Sequence, residues 1–402
     1  MPLVFVHGVA NRPSGEYAAM VKQRDALFRS LVFGRKDIVV LNPDWGSFAV
    51  KFGDDLPWLP SPRGNEAFDA GDSGDPGPPV TAQFDRISLG ALAAVDAEQA
   101  VDLVAMAALD AAIVEAAALG LPEAAAQGEA IELAKASAAY LASKGLVETE
   151  KPAGVGALAT ANNGDFADAL EAEIGQDPGD VEAFGLADRI RGAIAHLGRI
   201  VGNGASDLVL KASRRDLSRS VSLFLGDIFV YLRGRDDASE QGTRARIFAP
   251  ILEALTKAAK APRAAGEPFV VVGHSLGGVI LYDMLTDPAI RAELETAIGG
   301  PIAIDALFTV GSQPGFFADL GMYPGGRPAE GTKLAMPQGV GAWMNVFDFT
   351  DVFSFRCAHI FEGVRDFGYD TVTDLLHAHG AYFLRPSLYK RMRVRLSELG
   401  LG

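Results

Sequence analysis

Cysteine is almost missing from these 402 residues: Cys357 stands alone. A single cysteine excludes an intrachain disulfide and permits a reducing compartment, so a cytoplasmic location is the expectation. Positive charge is also scarce. With 36 Lys and Arg against 51 Asp and Glu, the formal net charge is −15 and the sequence pI about 4.9. That balance argues against nucleic acid, or an anionic membrane surface, as the main partner. No clean apolar run is long enough to span a bilayer. The most apolar stretch, Ala100 to Leu119, is broken by Asp102, Asp110 and Glu115. It therefore reads as a packed helix, and no transmembrane segment is expected. Nothing resembling a signal peptide precedes Leu3-Val4-Phe5-Val6, which already reads as a core strand.

What remains is globular in composition, 49% hydrophobic and 22% charged, and long enough for one large domain or two ordinary ones. Leu3–Val6 reads as a strand, Glu16–Phe33 as a helix and Asp37–Leu41 as a second strand. The alternation then breaks. Pro60 to Pro79 is rich in Pro, Gly, Asp and Ser and reads as loop or linker, Ile87 to Leu146 is Ala-rich and helical, and Val181 to Leu210 is helical again. Alternation returns with helices over Leu217–Leu232 and Thr243–Lys260 and strands over Phe269–Val272, Asp305–Val310 and Trp343–Phe347. A helix follows Pro386, and the basic run Arg385 to Arg395 reads as a solvated helix face. The expectation is an α/β core from residues 1–58 and 216–402, with a mostly parallel sheet flanked by helices, carrying a mainly helical insertion at 59–215.

Within that core, an apolar strand runs into Gly273-His274-Ser275-Leu276-Gly277-Gly278 and then the apolar run Val279 to Tyr282. Glycine is frequent here, 45 residues, so a G-x-S-x-G pattern alone is cheap by chance and the context decides. A buried strand, a serine pinched between small residues and a helix form the layout of a nucleophile elbow. The turn exposes the serine hydroxyl and aims the next backbone N–H, that of Leu276, at a developing oxyanion. Serine needs a general base and a carboxylate to orient it. Three acids follow the strand at Trp343: Asp348, Asp351 and Asp366. Asp351 is favoured because it sits far enough into its loop to turn back to the sheet edge. His379 is the favoured base, with His377 the alternative, and His274 reads as structural. His7-Gly8-Val9 closes the first strand; Gly8 permits a bend that lets the Val9 N–H serve as second oxyanion donor.

These motifs together resemble the α/β-hydrolase superfamily, in particular its lipase-like serine esterases. The residues that carry the resemblance are the strand with His7-Gly8, the Gly273–Gly278 elbow, Thr309-Val310-Gly311-Ser312, Trp343 to Asp351, and His379 to Tyr382. Gln313 departs from the usual pattern, and nothing in 59–215 matches it. The resemblance implies a Ser275–Asp351–His379 triad cleaving carboxylic esters, lipid or acyl esters foremost, with no metal or organic cofactor. The same machinery would serve a thioesterase, amidase or protein deacylase. A partner-activated hydrolase or signalling scaffold is the reading from another class. The insertion would act as a cap over the site, or as a docking surface for a second subunit or a protein partner.

Overall fold

In a computed structural model the described residues form one six-stranded sheet from β1 (Pro2–Val6), β2 (Val39–Leu41), β3 (Val270–His274), β4 (Ile304–Val310), β5 (Val340–Asp348) and β6 (Val364–Tyr369). Their order is β2-β1-β3-β4-β5-β6, and every neighbouring pair is parallel. The residues described are 2–52, 88–119, 125–146, 154–162, 165–175, 186–202, 207–235 and 237–401, without 238, 240, 241, 265, 266, 324, 325, 372 and 374–377. The loop expected over Pro60 to Pro79 lies outside them.

A fully parallel sheet needs helices on both faces, so its central strands are apolar at successive positions. In β1, Leu3 and Phe5 enter one core while Val4 and Val6 enter the other. The helices are α1 (Gly15–Leu27), α2 (Leu89–Val95), α3 (Ala97–Leu119), α4 (Ala125–Ser143), α5 (Gly156–Ala159), α6 (Phe166–Gly175), α7 (Leu186–Gly202), α8 (Asp207–Arg235), α9 (Thr243–Lys260), α10 (Leu276–Thr286), α11 (Pro288–Ile298), α12 (Pro314–Asp319), α13 (Ala378–Ala381) and α14 (Pro386–Glu398). Helices α1 and α14 cover the Leu3 face, and α9, α10 and α11 cover the other. This is an α/β fold. The one strand the sequence reading did not anticipate is β6, an edge strand whose Arg365, Asp366 and Gly368 interrupt any apolar run.

Helices α2 to α7 extend the core on the Leu3 face instead of standing apart from it. On α3, Val101, Val104, Ala105, Ala108 and Ala112 follow helical spacing and are completely buried. The acids that interrupt this apolar stretch have partners. Asp110 meets His196 at 2.8 Å, and Asp102 meets Arg385 at the start of α14. Asp102 also accepts from the Ser387 amide and hydroxyl, both at 2.9 Å, while Arg385 donates to the Thr371 carbonyl. With Arg385 only 2% exposed and Arg391 bonded to Glu98 at 3.0 Å, the basic run is not simply a solvated face.

Removing one partner of a buried pair strands the other charge, so Asp102→Ala should destabilise the chain by about 3–5 kcal/mol. The more exposed Asp110→Ala should cost about 1 kcal/mol or less. Urea unfolding of both variants checks this, and equal losses would refute a stabilising role for the buried Asp102–Arg385 pair. No helix among the described residues is long and apolar enough to cross a membrane.

Candidate active site

Because all strands run the same way, their carboxyl ends gather the loops after β1, β3, β4 and β5 on one edge. From β1 the chain goes to β2 on one side and to β3 on the other. The crevice at such a reversal is where open α/β sheets take their ligands. Gly8 and Ser275 face each other there: a Cβ on Gly8 would fall 2.6 Å from Ser275 Cβ.

Ser275 has φ +52° and ψ −130°, a strained conformation for a residue with a Cβ. The surroundings hold it. Its N–H donates to Val310 O at 3.1 Å, and its carbonyl accepts from Gly278 N at 3.0 Å and Ser312 Oγ at 2.6 Å. A Cβ on Gly273 would come within 2.7 Å of Gly278 Cα, so the crossing of β3 and α10 needs that glycine, and one on Gly277 would collide with the Val6 carbonyl, so the approach of α10 to β1 needs the other. Leu276 opens α10, and its N–H belongs to the helix's unpaired first turn.

His379, on α13, joins the serine to an acid. Its Nε2 lies 2.8 Å from Ser275 Oγ, and its Nδ1 lies 2.9 and 3.1 Å from the two oxygens of Asp351. A carboxylate beside Nδ1 assigns the proton to that nitrogen and leaves Nε2 as acceptor for the serine hydroxyl. Asp351 also accepts from Tyr382 Oη at 3.0 Å and from Phe353 N at 2.9 Å. Burial alone would raise its pKa, but the hydrogen bonds and the charge of His379 outweigh burial and hold it below the usual carboxylate value. Gly311, at φ +57°, leaves room for this acid; a Cβ there would sit 2.8 Å from the Tyr382 ring.

The other candidates stand elsewhere. Asp348 accepts from the amides and hydroxyls of Thr350 and Thr371, at 2.6 to 2.8 Å, and forms a loop brace. Asp366 accepts from Asn345 Nδ2 and from the Cys357 and Ala358 amides. His377 lies outside the described residues. His274 does more than brace the turn: its Nε2–H donates to the His379 carbonyl at 2.9 Å. Burial and the neighbouring His379 push its pKa down to about 3.

Sequence reasoning also missed Gln313, whose amide donates to Phe353 O at 2.6 Å and Gly311 O at 3.1 Å and so steadies the acid loop. The signal was its departure from the pattern that the neighbouring residues otherwise follow. It missed the aromatic wall as well. Phe224 of α8 and Phe353 pack 4.3 Å apart, and their rings lie 5.8 and 5.5 Å from that of His379. On the same two segments Val221, Leu225 and Phe229 of α8, and Phe349 and Val352 of the acid loop, are exposed; Phe349 is 85% so.

His7 supports the opposite wall. Its ring stacks on Trp45 at 5.0 Å, its Nδ1–H donates to Gly8 O at 2.8 Å, and Trp45 Nε1 donates back to His7 O at 2.8 Å. Burial lowers its pKa to about 4, so the folded chain keeps His7 neutral where the unfolded chain, titrating near 6.5, binds a proton. Stability from this group is complete above about pH 6.5 and is lost as pH falls toward 4. In His7→Gln, the slope of unfolding free energy against pH in that window should shrink by up to one proton, about 1.4 kcal/mol per pH unit. Urea titrations at several pH values read this directly, and an unchanged slope would contradict it.

No group of three or more His, Cys, Asp or Glu among the described residues is placed to hold a metal ion. The arrangement can deprotonate a hydroxyl, stabilise the resulting imidazolium and offer backbone donors beside the attacking oxygen. Comparison of the chain with protein-family models, curated proteins and solved structures finds no significant match.

Proposed function

We propose that this chain is a serine hydrolase of α/β-hydrolase type, cleaving carboxylic esters with an apolar acyl group. One observation carries the reading: an unbroken line of hydrogen bonds from Ser275 Oγ to His379 at 2.8 Å and on to Asp351 at 2.9 Å. Ser275 Oγ attacks the ester carbonyl as His379 Nε2 takes its proton. The carbonyl oxygen gains charge and meets the N–H groups of Leu276 and Val9. His379 then returns the proton to the leaving alcohol, forming an acyl-enzyme. In the second half His379 takes a proton from water as it attacks the acyl carbon, the bond to Ser275 Oγ breaks, the carboxylic acid leaves, and His379 returns the proton to Oγ. Asp351 stays ionised throughout and stabilises the imidazolium.

The aromatic pair Phe224 and Phe353 beside His379, with exposed apolar residues on the same two segments, favours an aliphatic or lipid-like acyl chain over a charged one. The test is a panel of p-nitrophenyl esters of increasing chain length, with matched thioesters and anilides, run beside labelling by a fluorophosphonate probe. The esters should show the largest kcat/KM, rising with acyl length, and the probe should label the chain once. A larger value for thioesters or anilides would move the substrate class, and absence of both labelling and turnover would remove the reading.

A further inference from the structure

One buried carboxylate has no part in the relay. Asp227, on α8, is 0% exposed and accepts four hydrogen bonds. Ala10 N at 2.8 Å and Arg12 Nη1 at 3.1 Å bind Oδ2, while Arg12 Nη2 at 2.5 Å and Val50 N at 3.0 Å bind Oδ1. A charge buried on a helix among Phe224, Ile228 and Tyr231 is costly unless such partners repay it. Three of the four bonds come from the segment directly after Gly8 and Val9.

The geometry of that segment gives the bonds their meaning. Ala10 has φ +60°, a left-handed conformation that is unfavourable for a residue with a Cβ. The Val9–Ala10 peptide is pinned at both ends: its N–H donates to Asp227, and its carbonyl accepts from Asn11 Nδ2 at 3.1 Å. In the preceding peptide, Gly8 O accepts from Asn11 Nδ2 at 3.0 Å and from His7 Nδ1 at 2.8 Å. A trans peptide points its N–H away from its carbonyl, so the Val9 N–H faces away from Asn11 and His7. Gly8 itself lies against Ser275. Without the Asp227 contact the Ala10 N–H loses its acceptor, only Asn11 still pins the Val9–Ala10 peptide, and the left-handed state at Ala10 that sets the aim of the Val9 N–H is held less firmly.

We infer that Asp227 is a positioning residue for the oxyanion loop: by holding Ala10 it keeps the Val9 N–H aimed where the attacked oxygen becomes charged. The inference rests on the serine-hydrolase reading. It also makes α8 the element that touches both halves of the site, since Phe224 packs on His379 from the same helix. The close fit of this helix is visible at Gly226, where a Cβ would fall 2.8 Å from Val50 Cγ1.

The experiment uses the full-length chain as wild type, Asp227→Ala, Asp227→Asn and Ser275→Ala. A fluorophosphonate end-point titration counts competent sites, and kcat is expressed per titrated site. In Asp227→Ala, kcat per site should fall about 10- to 100-fold while KM moves less than about threefold. The Ki of an alkylboronic acid should rise by the factor by which kcat falls, because its adduct with Ser275 places an oxygen in the same hole. A merely structural role would reduce the number of sites and leave kcat per site and Ki unchanged. Asp227→Asn keeps the shape but turns an N–H₂ toward one pair of donors; it carries the test if the alanine variant does not fold. Wild-type kcat per site and Ki in whichever variant folds overturn the inference. Hydrolysis by Ser275→Ala, or a wild type that takes no label, overturns the underlying reading instead.

Discussion

Ser275→Ala should lower ester turnover by about 10⁴-fold or more and abolish fluorophosphonate labelling, with the fold intact. The size follows from the relay. Without Oγ, neither His379 nor the backbone donors have an attacking atom to work on, and only binding and residual donor effects remain. The intact fold follows from what Ser275 does structurally. Its backbone, through Val310 O, Gly278 N and Ser312 Oγ, carries the contacts that hold the turn, and none of these uses its hydroxyl. The strained φ of +52° is present with serine or alanine alike. A melting temperature equal to or slightly above wild type is therefore expected, as is common where a site has been kept at some cost to stability. The pairing of dead chemistry with unchanged melting is the informative result. Undiminished esterase activity in this variant would sink the mechanism, while a large drop in melting temperature would leave the kinetic loss without meaning.

The parts of the site that could be read from the chain share a physical property: their requirement is local. The crossing at Gly273 and Gly277, the bend at Gly8 and the small residues after β4 are steric demands of a few neighbouring residues, so they leave a pattern in the sequence. Core strands that are apolar on both faces are legible for the same reason. Asp351 was separable from Asp348 only through its position in the loop and the resemblance carried by Trp343 to Asp351. Its three hydrogen-bond partners, His379, Tyr382 and Phe353, come from two segments that the fold has to bring together. What escaped reading depends on contacts between distant segments. Asp102, which looked like an interruption of an apolar helix, is the seat of a buried pair with Arg385, 283 residues away. Asp227 reaches Ala10 across 217 residues. Strand β6 escaped for a different reason. Its Asp366 spends its carboxylate on backbone amides at the sheet edge, so a polar residue stands where the strand pattern calls for an apolar one.

The choice between the two acids yields the second large effect. Asp351→Asn should reduce kcat by about 10⁴-fold while leaving stability close to wild type. Phe353 N–H donates to Oδ1, so the carbonyl oxygen of an asparagine would settle on that side and its NH₂ would face His379 Nδ1 and Tyr382. An NH₂ in that place donates to Nδ1 and forces the ring proton onto Nε2, where it blocks acceptance of the serine proton. Asp348→Asn should behave in the opposite way. Each of its oxygens accepts an amide and a hydroxyl, from Thr350 on Oδ1 and Thr371 on Oδ2. Whichever side takes the NH₂ strands its threonine amide, at about 1–3 kcal/mol, while the hydroxyl there must turn round to accept. Its kcat should stay within about tenfold of wild type, because Asp348 does not touch His379 and acts only through the loop it braces. Steady-state kinetics and urea unfolding on both variants therefore give opposite orders of severity. If Asp348→Asn were the catalytically dead protein and Asp351→Asn the unstable one, the acid would have to be reassigned and the hydrogen bonds to His379 would lose their catalytic meaning.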